Sequence, residues 1–105
     1  MNMEVAIIIK TTQNDDNEAS VKKEIKVCGS VEAAKQVVIK ELQEGFELEE
    51  GCDTFAKVSE ELVNSGIQSR VYGNSTIDSI WWYDNGKGEQ FDIIPMNDSE
   101  DYYQI

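Results

Sequence analysis

A chain of 105 residues with 40% hydrophobic and 9% aromatic content can bury one core, which excludes global disorder and predicts a single domain over residues 1–96 followed by an acidic tail, 97–105. Twenty-one acids against nine basic residues leave a net charge of −12, which disfavours direct nucleic-acid binding because phosphate is repelled. Histidine is absent, which removes the commonest general base and metal ligand along with Ser–His and Cys–His nucleophile pairs.

In chain order, the opening Glu4 to Lys10 is β-branched and continuous, as in a central strand covered on both faces. Thr11 to Ser20 is polar and reads as a mobile hairpin loop leading into a second strand, Val21 to Cys28. In that strand Val21, Ile25 and Val27 supply an apolar side and the lysines a wet one. Ser30 then caps a helix with Glu32 in its first turn, a buried stripe at Val31, Ala34, Val38 and Leu42, and a stop at Gly45. Phe46 and Leu48 alternate with Glu47 and Glu49 across an extended link. A second helix starts at Asp53 or Thr54, turns Phe55, Val58, Leu62 and Val63 to the core, and ends at Gly66. Three strands follow, Ile67 to Tyr72, Thr76 to Tyr83 and Glu89 to Ile94, joined by turns at 73–75 and 84–88 and stopped by Pro95. The ββααβββ order predicts an α+β fold, a mainly antiparallel sheet with both helices on one face.

No phosphate-binding GxxxxGK[ST] loop occurs, and in the run Asp84 to Glu89 the glycine falls too early for an EF-hand, so that run reads as a tight hairpin turn. Cys28 and Cys52 have no CxxC spacing and read as packed, reduced thiols. No spacing singles out two of the carboxylates for acid–base work. The chain is therefore expected to be no enzyme and to hold no cofactor and no metal. The apolar run Val5 to Ile9 is too short for a membrane span or a secretory signal, so a cytoplasmic location and no membrane partner are expected.

Charge is unevenly spread. Residues 1–40 are neutral, 41–61 carry −7, 62–77 carry +1 and 78–105 carry −6. Glu41, Glu44, Glu47, Glu49, Glu50 and Asp53 crowd the end of the first helix and the link, with Glu60 and Glu61 beyond. Such crowding costs energy through like-charge repulsion and can imitate the spaced phosphates of a nucleic acid. Trp81, Trp82 and Tyr83 sit on one strand, where neighbours point to opposite faces, so one tryptophan faces the helices and the other looks away. The far face of the sheet, which also carries either Ala6 and Ile8 or Val5, Ile7 and Ile9, is then apolar: it is either an exposed binding hot spot with tryptophan at its centre, or is covered by the loop, by the tail or by a second copy of the chain. The six acids and three aromatics form the candidate partner-binding set. The tail, with Tyr102 and Tyr103, reads as a frayed terminus.

In size, charge and layout the chain resembles the small acidic inhibitors that phages deploy against restriction or CRISPR nucleases, a likeness that covers no aligned residues. It implies a stoichiometric inhibitor in the host cytoplasm that occupies a basic nucleic-acid-binding surface of a target protein. Two alternatives share the observations: an immunity protein neutralising a basic nuclease toxin, and a homodimeric adaptor domain whose acids serve solubility.

Overall fold

β-branched residues favour extended chain because two heavy atoms on Cβ restrict χ1 and pack well on a pleated surface. The run Val5–Ile9 accordingly opens β1 (Glu4–Asn14), and the computed structural model describes residues 4–15, 20–74 and 76–97. There follow β2 (Ser20–Cys28), α1 (Val31–Phe46), α2 (Phe55–Asn64), β3 (Gln68–Gly73), β4 (Asp78–Asp84) and β5 (Lys87–Asn97). The strands form one sheet in the order β2-β1-β5-β4-β3, and each neighbouring pair is antiparallel. Helix α1 packs on β1, β5 and β2, and α2 on β3 and β4. This is the predicted α+β arrangement, with both helices on one face.

Register decides which side chains enter the core. Ile8 stands opposite Ile93, and Ile80 opposite Phe91, so these four and Ala6 face the helices. They meet Ala34, Val38, Ile39 and Leu42 of α1 and Phe55, Val58 and Leu62 of α2. Each fully buried aliphatic or aromatic side chain is worth about 1.5–3 kcal/mol relative to exposure.

Ser30 caps α1, its Oγ accepting from Ala33 N–H at 3.0 Å, and Thr54 caps α2 in the same way from Lys57 N–H at 3.1 Å. Asn85 and Gly86 make the β4–β5 turn with φ of 49° and 80°, the left-handed pair that matches the twist of a two-residue hairpin. Asn74 Oδ1 accepts from the N–H groups of Thr76 and Ile77, holding them out of the ladder, so β4 begins at Asp78 rather than at Thr76.

Several expectations are corrected. β1 is an interior strand, but β5 is the central one, and among the described residues the face carrying Val5, Ile7 and Ile9 has no element over it. The apolar side of β2, whose direction the alternation left open, points away from the helices with Val21, Ile25 and Val27, and Lys22 and Lys26 share the helix side. Residues 11–14 and 20 belong to strands, Asp15 follows β1 with its N–H donating to the Gly86 carbonyl, and 16–19 of the predicted loop lie outside the described residues. Gly45 is inside α1, which runs through Phe46 and is closed by Glu47. Ile39 joins the buried stripe, and the link turns at Glu50 and Gly51, with Cys52 N–H donating to the Glu49 carbonyl. Val63 is 53% exposed and does not face the core. β5 continues through Pro95 because pairing with β4 stops at Ile93: the proline faces Ala6 of β1 alone, and its missing N–H costs no bond on the β4 side. The tail lies outside the described residues beyond Asn97.

Candidate functional site

The acid-rich end of α1 is tied to the sheet by one lysine. Lys10 follows Ala6 and Ile8 at period two on the helix-facing side of β1, and its side chain is 22% exposed. Its ammonium donates to Glu41 Oε2 at 3.2 Å and to Glu89 Oε2 at 3.0 Å. Trp82 Nε1 donates to the other oxygen of Glu89 at 3.1 Å, and Phe46 meets the Trp82 ring edge-on, with centroids 4.9 Å apart. Burial pulls the Lys10 pKa down, but the hydrogen bonds to Glu89 and Glu41 push it up further, so the net shift is upward. These residues form a partly buried chain: Phe46 against Trp82, then Glu89, Lys10 and Glu41.

Beyond Glu41 the acids are exposed. Glu44 lies in the last turns of α1, Glu47 closes the helix, and Glu49 and Glu50 follow in the link. Among the described residues no lysine or arginine stands within ion-pair distance of these four, and the last turn of α1 holds no basic residue. Asp53 pairs with Lys57 at 3.3 Å and lines a separate recess with Glu32, Lys35 and Asp78. The structure thus gathers Glu41, Glu44, Glu47, Glu49 and Glu50 along one stretch and leaves Asp53 locally neutralised.

The three aromatics are divided by the sheet. Trp82 is the tryptophan that faces the helices, and its ring and N–H are both engaged. It cannot serve as an exposed anchor without leaving the core. Trp81 and Tyr83 look the other way; Trp81 lines a shallow concavity of about 350 Å³ with Arg70, Tyr72, Ser79 and Gln90. Two of its lining side chains are already hydrogen-bonded: Ser79 Oγ donates to Asp92 at 2.5 Å and Gln90 Nε2 donates to the same carboxylate oxygen at 3.0 Å. Tyr83 Oη donates to Asp15 at 3.2 Å. The acids and the outward aromatics therefore occupy opposite sides of the molecule.

Lys10, Glu89, Arg70 and Tyr72 are participants that sequence reasoning missed. For Lys10 a signal existed, because its parity with Ala6 and Ile8 places a charge on the core side. For Arg70 and Tyr72 none did, since their position beside Trp81 depends on the β3–β4 register.

Cys28 and Cys52 are free thiols, each partly buried. Among the described residues no three Cys, Asp or Glu side chains group as metal ligands, and no helix is long and apolar enough to cross a membrane. Comparison with known protein families, with curated proteins and with solved structures finds no match to this chain.

Proposed function

We propose that this chain acts by binding rather than by catalysis, as a stoichiometric inhibitor whose α1 terminus and following link occupy a basic, nucleic-acid-binding surface of another protein. The observation that carries this reading is the set Glu44, Glu47, Glu49 and Glu50, exposed in succession with no cation beside them among the described residues. Carboxylates held in this way present the negative field that rows of lysine and arginine on such a target are built to meet. On docking, the target's cations relieve the mutual repulsion of the acids, so the interaction steers association and weakens with salt. Trp82 supports the surface from within by holding Phe46 and Glu89. It is not itself the contact.

The test is capture of the target on immobilised chain at low salt, with elution by a salt gradient and separately by duplex DNA or RNA. The reading expects one basic protein that leaves early in the gradient and is displaced by nucleic acid. If the variant in which Glu44, Glu47, Glu49 and Glu50 are all changed to glutamine retains the same protein to the same salt concentration, the acids are not the contact and the reading fails.

A further inference from the structure

Strand β2 shows which side of the sheet the sequence is patterned to bury. Val21, Ile25 and Val27 are 65%, 70% and 65% exposed on the face away from the helices, whereas Lys22, Glu24 and Lys26 take the helix side. Alternation that collects aliphatic residues on one face specifies burial of that face. The pattern continues across the neighbouring strands, where Val27, Ile7 and Ile94 form one row and Ile25 and Ile9 the next. Val5 and Met96 extend the patch at its edge. Among the described residues no element lies over it.

We propose that a second copy of this chain covers this face, sheet against sheet, in a two-fold dimer. The whole open face, five strands ~4.8 Å apart and each on the order of eight residues at ~3.3 Å per residue, makes a plane of about 600 Å², of which the aliphatic part on β2, β1 and β5 is roughly three-fifths. Side-chain relief brings the whole face toward the ~800 Å² per partner of a stable specific interface. Charge selects the occupant. The strand positions of the open face carry Lys23, Arg70 and Asp92 as their charged residues, so the face is close to neutral and offers little to attract a highly charged partner. A second copy brings a matching aliphatic face and points the crowded acids of its α1 end away. The shortest extent of the molecule is 21 Å, so the two acid-rich helix layers end up outermost, separated by more than the ~8 Å Debye length at physiological salt. Association through the helices or the link would instead bring like charges together.

The dimer does not depend on the inhibitor reading, and the glutamine variants above leave it intact. Sedimentation velocity of the full chain over a dilution series, at low and high salt, tests it. The expected result is a concentration-dependent dimer that high salt does not dissociate. Ile25→Lys should raise its dissociation constant by roughly 100-fold, because each dimer loses the apolar contact twice. Circular dichroism should stay native in that variant, since the side chain is exposed in the single copy. Lys22→Ser, on the other side of the same strand, should leave the dimer unchanged. A chain that stays monomeric at every concentration, including one whose open face takes up only a different protein, overturns the proposal. So does a dimer that survives Ile25→Lys, or one that Lys22→Ser dissociates equally.

Discussion

Glu47→Gly should make this protein more stable while weakening its capture of a basic target. Glu47 closes α1 with φ 54° and ψ 47°, held there by donation of its N–H to the Gln43 carbonyl. A residue with a Cβ pays roughly 1–2 kcal/mol for the left-handed region. Glycine occupies it freely, although the greater freedom of an unfolded glycine takes back ~0.4–1 kcal/mol. The carboxylate adds two further costs. It stands at the negative end of the helix dipole in a last turn with no basic residue, about 0.3–0.5 kcal/mol, and lies three residues from Glu44, about 0.2–0.5 kcal/mol. The net gain is about 1–2 kcal/mol, or about 5–10 °C in melting temperature for a domain of this size. Thermal melts followed by circular dichroism, at low and high salt, separate the contributions. Glu47→Gln should deliver only the electrostatic part, and salt should erase it, whereas the glycine gain should persist. A Glu47→Gly protein that melts at or below the wild type refutes the reasoning, as does a glutamine variant that accounts for the whole gain.

Lys10→Met leaves Glu89, 20% exposed, with only the Trp82 N–H, and should cost about 2 kcal/mol, seen as a melting point lower by about 10 °C and partly restored by adding Glu89→Gln. Because the folded pKa of Lys10 lies above the ordinary 10.5, its stabilisation is fully present below that value and is lost as pH rises through the folded pKa. Denaturant titrations of wild type and Lys10→Met should therefore converge at strongly alkaline pH. Gly88→Ala places a Cβ 2.8 Å from the Trp82 carbonyl oxygen and 3.0 Å from the Tyr83 ring, so β4 and β5 must part, at a cost of about 1–3 kcal/mol measured by urea unfolding.

The elements were legible where a local signal was strong. Ser30 and Thr54 announce both helix starts through side chains that can accept from the N3 amide, and Asn85-Gly86 announces its turn because few residue pairs tolerate two left-handed positions. The end of α1 was misplaced because Gly45 is the natural stop by propensity, yet Phe46 is retained in the helix, where its ring meets Trp82. Propensity yields there to a contact made far along the chain. The same cause hides the run of β5 through Pro95, which depends on where β4 happens to end.

The acids of the candidate site were legible by composition, but their sidedness was not. Parity along β4 says that Trp81 and Trp82 are opposed, yet only the register Trp82 opposite Glu89, with Glu89 reaching Lys10, decides which of them is inside. A slip of one residue in that pairing would send Trp82 outward and put Trp81 under the helix. β2 misleads in the complementary way: its alternation is clear, and a reader who knows only one buried face assigns its aliphatic side to that face. The pairing with β1 overrides that assignment, because Cys28 stands opposite Ala6 and Lys26 opposite Ile8, which puts Lys26 and Lys22 on the helix side and the aliphatic residues on the other. A sheet strand patterned against its own core implies a second apolar environment for the opposite face. That requirement is independent of the chain's acidity, so the salt response of the two surfaces should differ: electrostatic capture at the end of α1 fades with ionic strength, and apolar pairing across β2, β1 and β5 persists.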